Sequence, residues 1–302
     1  MSINTLVNAI REKNNPTVAG LDARLEYIPS YIVEKNIAEY GKTLKAAAES
    51  MMEFNKGLID ALCDIVPAIK PQAAYYELLG PDGAKVLHDT VAYAHEKGMY
   101  VIADIKRNDI GATATAYAQA YLGESEVGGV SLPVYNCDSC TVNAYLGSDG
   151  IHPFLTECKN RSRGIYVLVK TSNQSSGEFQ NRELDGKPLY VRVAEKVAEW
   201  GEDLMTECGY SEVGAVVGAT YPEEQKIVRE IIPHGYFLVP GYGAQGATAK
   251  DIANAFNDDG LGAIVNSSRG IMCAWKKCDL DYQEAARQEA IRMRDDIVSA
   301  IR

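Results

Sequence analysis

The sequence predicts an α/β fold, a single (β/α)₈ TIM barrel, on three observations. First, short apolar, β-rich runs recur eight times: TVAGLD (17–22), IVPAIKP (65–71), YVIADIK (100–106), CTVNAYLG (140–147), IYVLVKT (165–171), VGAVVGAT (213–220), YFLVPGYG (236–243) and GAIVNSSRG (262–270). Second, longer segments with apolar residues returning every three or four positions lie between them, the signature of helix faces. Third, the runs are nearly continuous in apolar residues, as strands covered on both faces must be. Strands alternating with helices pair in parallel through crossovers, and eight units suffice to close a barrel.

Each helical segment follows from its pattern. MSINTLVNAIREKNNP reads as an amphipathic first helix. YGKTLKAAAESMMEFNKGLIDAL, DGAKVLHDTVAYAHEKG, LYVRVAEKVAEWGEDLMTE and PEEQKIVREII read as helices between strands. An open doubly wound sheet is the alternative, but no G-x-G-x-x-G follows the first strand, which weakens its dinucleotide-binding form. A length of 302 residues suits one barrel domain spanning 1–302. Two polar, turn-rich insertions, 122–138 and 171–187, read as lid-like loops.

The net charge of −11 excludes most nucleic-acid binding, which needs a clustered basic face. An anionic substrate must therefore be met by a few local cations. No apolar stretch reaches the length of a membrane span, and the N-terminus lacks a signal peptide's apolar core. Seven scattered cysteines read as free thiols of a reducing cytoplasm. Cys137 and Cys140 have C-x-x-C spacing without a second ligand pair, so no metal site is expected. The four histidines are isolated and read as surface or capping groups.

The charges sit where the chemistry of a barrel belongs. Asp22, Lys70 and Asp104 close apolar runs, and Lys106 follows two residues later. The C-terminal ends of barrel strands form the catalytic face, so these groups converge at one mouth. A period of two aims Asp104 and Lys106 the same way. Asp109 lies an odd number of residues further on, past the strand's end, and its direction is open; a helix N-cap is its alternative role. An alternating Asp/Lys array holds each charge by its neighbours. An immobilised Lys106 ammonium can protonate a developing carbanion, and Asp104 can sit beside a carboxylate that leaves as CO₂. Two like charges ~4 Å apart at an effective dielectric of ~20 repel by roughly 4 kcal/mol. That is about three decades in rate, so binding energy and transition-state stabilisation must supply the rest.

The last two runs carry PGYGAQG (240–246) and NSSRG (266–270). Barrels commonly bind phosphate there. Gly241, Gly243 and Gly246 let backbone amides approach an anion, Gln245 adds a neutral donor, and Arg269 offers a planar fork.

ADIKRNDIGATA (103–114) resembles the Asp-x-Lys-x-x-Asp signature of the orotidine 5′-phosphate decarboxylase family. GLDAR, AIKPQAAYYE, TVNAYLG, VLVKTSN, LVPGYGAQGA and NSSRGI resemble that family's other blocks in its order, most closely its longer bacterial branch. The resemblance spans about 17–272. It implies a cofactor-free homodimer that converts orotidine 5′-monophosphate to uridine 5′-monophosphate (UMP). It further implies that Asp22 and Lys70 hold the ribose, that Lys106 protonates C6, and that Asp109 and Thr113 reach the neighbouring subunit's site. Ser172, or less favoured Asn173, would lie near the pyrimidine, Asn143 would line the site, and Gln245 and Arg269 would bind phosphate. The loop PGYGAQGA departs from many relatives around the glutamine, which bears on Gly243 and Gln245. Three other readings stay open: a Mg²⁺-dependent sugar-phosphate enzyme using Asp104, Schiff-base chemistry at Lys70 or Lys170, and a silent nucleotide-binding barrel.

Overall fold

Each of the eight apolar runs forms one strand of a closed parallel barrel. The strands are β1 (Thr17–Leu21), β2 (Ala68–Pro71), β3 (Tyr100–Arg107), β4 (Ser139–Val142), β5 (Gly164–Lys170), β6 (Ser211–Val217), β7 (Gly235–Val239) and β8 (Ala263–Ser267). They lie side by side in chain order, and β8 closes onto β1 through the register Thr17↔Val265. The computed structural model describes residues 2–243 and 246–301. Among them, no helix is long and apolar enough to cross a membrane.

The two faces of each strand feed two cores. Val18, Ala68, Tyr100, Ile102, Tyr166, Leu238 and Ile264 point into the barrel. Their neighbours Ala19, Ile69, Val101, Val167, Val239 and Val265 point outward against the helices. The period of two then carries Asp22, Lys70, Asp104, Thr141 and Asn266 to the interior side at the C-terminal ends. The opposite end is stoppered by the first helix, Ile3–Lys13, whose Leu6, Val7 and Ile10 join the inner core. Its Ile3 N–H donates to Oε2 of Glu212, at the start of β6, at 3.0 Å.

The helices follow the predicted segments with two breaks. The segment from Tyr40 divides at Gly41, which takes φ +71°, so Leu44–Leu62 begins afresh with Thr43 capping Ala46. The segment from Leu189 is α-helical only to Gly201 and continues as one 3₁₀ turn, Glu202–Leu204. Insertion 122–138 contains an antiparallel hairpin, Glu124–Val127 with Val130–Pro133. Insertion 171–187 contains a 3₁₀ turn, Gln174–Glu178, and a two-residue strand, Glu183–Leu184, paired with Lys187–Pro188.

Candidate active site

Asp104 stands at the centre of a charge cluster. Its Oδ2 accepts from Lys70 Nζ at 2.8 Å and Gln72 Nε2 at 3.0 Å. Its Oδ1 accepts from Lys106 Nζ at 2.5 Å and Thr141 Oγ1 at 2.9 Å. Lys70 also lies 3.7 Å from Oδ1 of Asp22. Lys70 and Asp104 are buried, while Lys106 is the exposed member. Burial opposes ionisation of Asp104, but Lys70 and Lys106 outweigh it and hold the carboxyl well below the usual carboxylate range. Burial likewise opposes the charged form of Lys70, and Asp104 with Asp22 reverses that, raising it above its ordinary value. With two ammonium groups on Asp104, a divalent cation at the same oxygens would meet strong repulsion.

The backbone that presents Lys106 is not a regular strand. Lys106 adopts φ +48°, a left-handed conformation uncommon for a side-chain-bearing residue. The pairing of β3 with β4 shifts register between Ala103 and Arg107. The expectation that a simple pleat aligns Asp104 with Lys106 is therefore corrected: the two meet, but across a bulge. Thr141 Oγ1 replaces the missing ladder acceptor, taking the N–H groups of Ile105 and Lys106, each at 2.9 Å.

A cleft of about 450 Å³ runs from this cluster towards β7 and β8. Asp22, Lys70 and Asp104 line one end; Gly241, Ser268 and Arg269 line the other. Gly20 permits this arrangement, since a Cβ there would lie 1.9 Å from Ser268 Oγ. Gly243 takes φ +67°, but its N–H is already bonded to the Ala247 carbonyl at 2.9 Å. The expectation that this amide faces an anion is thus corrected, because the loop spends it on its own turn. Gln245 lies outside the described residues.

The remaining predicted residues surround the mouth without joining the cluster. Asp109 Oδ1 accepts the N–H of Ile110 at 2.8 Å. Ile110, not Asp109, occupies the N-cap of helix Gly111–Tyr121, and Thr113 is exposed on its first turn. Asn143 Oδ1 accepts from the Tyr145 N–H at 2.9 Å, closing the turn after β4. Ser172 is half-buried after β5, its carbonyl accepting from Thr220 Oγ1 at 3.4 Å, and Asn173 is exposed beside it. Lys170 is fully enclosed and Lys70 is ion-paired, so neither presents a free amine for a Schiff base.

Sequence patterning did not single out Gln72, Thr141 or Asn266. Gln72 and Thr141 hold Asp104, and Asn266 lines the cleft, its Oδ1 buried and without a hydrogen-bond donor among the described residues. Thr141 and Asn266 had a signal, being inward-parity polar residues near strand ends. His95 proves to be neither a cap nor a surface group; it bonds the buried Asp138 at 2.9 Å.

The family model described as "Orotidine 5'-phosphate decarboxylase / HUMPS family" matches residues 45–277. The chain is 43% identical to the orotidine 5′-phosphate decarboxylase of Rhodopirellula baltica, over 98% of this chain and 99% of that one. It is 40% identical to the enzyme of the same name from Caldicellulosiruptor bescii, over 98% and 97%. The solved structure of Leishmania donovani OMP decarboxylase superposes with a TM-score of 0.74 at 29% identity, covering 98% of this chain and 99% of that one. On its barrel, its strand-end charge cluster and these matches, the chain belongs to the orotidine 5′-phosphate decarboxylase / HUMPS family.

Proposed function

We propose that the chain removes CO₂ from orotidine 5′-monophosphate to give UMP, without a cofactor, with Lys106 as the proton donor. The observation that carries this reading is the Lys70–Asp104–Lys106 array beside a cleft that ends at Arg269. Arg269, with Gln245, binds the phosphate at one end. Asp22 and Lys70 take ribose hydroxyls. The substrate carboxylate then lies against the Asp104 carboxylate. The bond from C6 to the carboxylate carbon breaks, CO₂ leaves neutral, and the electron pair stays on C6. The Lys106 ammonium stabilises that charge and delivers its proton to C6; solvent restores the proton to the amine. Ser172, and secondarily Asn173, contacts the pyrimidine, and Asn143 borders the site.

The working form in this reading is a cytoplasmic homodimer of one-domain subunits. Asp109 and Thr113 complete the neighbouring site, which suits their place outside their own subunit's cluster. The insertion 171–187, which follows β5 at the mouth, acts as a lid, whereas 122–138 leads into the N-terminal end of β4, away from the mouth. Loss of the orotate ultraviolet absorbance, followed in excess EDTA for wild type and Lys106→Ala, tests the chemistry. Wild type is expected to turn over, and the variant to lose about 10²–10⁴-fold or more in rate. Turnover only of a keto-sugar phosphate, and only with Mg²⁺, would overturn the reading.

A further inference from the structure

Lys170 ends β5 with its side chain completely enclosed. Lysines are rarely taken out of water without a paired carboxylate. Among the described residues Lys170 makes no ion pair, and its contacts are neutral oxygens and aromatic rings. Its Nζ donates to Asn181 Oδ1 at 2.6 Å and lies 3.5 Å from Ser176 Oγ. The same nitrogen sits 4.3 Å from the ring centroid of Tyr221 and 5.6 Å from that of Tyr190.

These partners are the two sides of the loop that follows β5. Ser176 and Asn181 belong to the segment itself, and Tyr221 stands just before helix Pro222–Ile231. Ser176 Oγ donates to the Tyr221 hydroxyl at 3.2 Å, and that hydroxyl donates to the Asn173 carbonyl at 3.4 Å. Gln180 completes the closure: its Oε1 accepts the Thr171 N–H at 3.0 Å and its Nε2 donates to Thr171 Oγ1 at 2.7 Å. A buried amine with only neutral partners gains from every one of them, because any partner lost leaves it poorly solvated. That nitrogen therefore ties the 174–181 turn to Tyr221, through the Asn181 hydrogen bond on one side and the Tyr221 ring face on the other.

We propose that Lys170 is a positioning residue: it clamps the 174–181 turn to Tyr221 and so fixes where Ser172 and Asn173 stand at the barrel mouth. It has no contact with reacting atoms; it acts through the loop. This rests on the function proposed above, because Ser172 and Asn173 matter only if a substrate occupies that mouth.

Lys170→Met keeps the length and removes the donors. Asn181→Ala removes the shortest hydrogen bond from an exposed position on which the barrel does not depend. Two readouts are needed. The first is the rate of tryptic cleavage after Arg182, which reports the clamp whatever the protein catalyses. The second is the split between KM and kcat for orotidine 5′-monophosphate. In both variants cleavage is expected to accelerate and KM to rise by about tenfold, with kcat changed far less, the mark of lost binding rather than lost chemistry. A general loss of packing would instead lower kcat and thermal stability together. Should Lys170→Met fail to fold, Asn181→Ala decides. Unchanged cleavage overturns the clamp, and faster cleavage with unchanged KM overturns the positioning role. Faster cleavage in a protein that never turns over the nucleotide would sink the functional reading, and the role towards substrate with it, while leaving the clamp standing.

Discussion

Thr141 makes three hydrogen bonds with one hydroxyl: it accepts from Ile105 and Lys106 and donates to Asp104. Thr141→Val keeps the shape and leaves two N–H groups without an acceptor, at roughly 1–3 kcal/mol each. The expected result is a melting temperature lower by a few degrees and a kcat that falls more than KM rises. Thr141→Ser should stay near wild type. Differential scanning calorimetry and steady-state kinetics check both; a Val variant with wild-type kcat would show that this hydroxyl does not place Lys106. Asp22, Lys70 and Asp104 were legible because a charge that closes an apolar run does not serve the core, whereas the mouth of a barrel needs it. The left-handed turn at Lys106 was not legible, because its cause sits on another strand. Gly243 misled for a related reason: a glycine permits a positive φ without saying which acceptor its N–H will take.

At the scale of elements, all eight strands were legible, since parallel strands buried on both faces write themselves as apolar runs. The hairpin in 122–138 was not recognised, though the signal was there: Gly128 and Gly129, both at positive φ, form the two-residue turn between its strands. The first helix was legible as amphipathic, but where it docks was not. It stoppers the barrel floor and is tied there by Glu212. Burial pushes the Glu212 carboxyl up to about 7, with the Ile3 N–H pulling the other way. A carboxyl raised on folding costs stability once it must ionise, so stability falls as pH rises from about 4 through about 7. Glu212→Gln mimics the neutral form. It should stabilise the protein at pH 8, by on the order of 2–3 kcal/mol at most, and change little at pH 5. Urea unfolding of both proteins at the two pH values measures this; an equal effect at both would mean that Glu212 does not titrate on folding.

The whole molecule poses the question of the second subunit. Helix Gly111–Tyr121 buries Ala114, Ala118 and Tyr121 and leaves Ala112, Thr113, Thr115 and Ala116 in solvent, a face of small residues that allows close approach. Ile110 and Tyr145, both well exposed, lie on the loops after β3 and β4. Exposed apolar residues scattered singly mean little, but these two stand on adjoining loops beside the small-residue helix face, which suits an interface. Asp109 stands on this edge and, among the described residues, outside its own subunit's ion pairs. If it serves the neighbouring site, two inactive variants will rescue each other. In a mixed dimer of Lys106→Ala and Asp109→Ala, one site lacks both groups and the other has both. Random exchange of a symmetric dimer then restores roughly a quarter of the wild-type sites. Mixing the purified variants under mild denaturant, removing it and assaying turnover measures the recovery. If Asp109 instead serves its own subunit, every site in the mixed dimer lacks one group, and activity stays at the level of the separate variants.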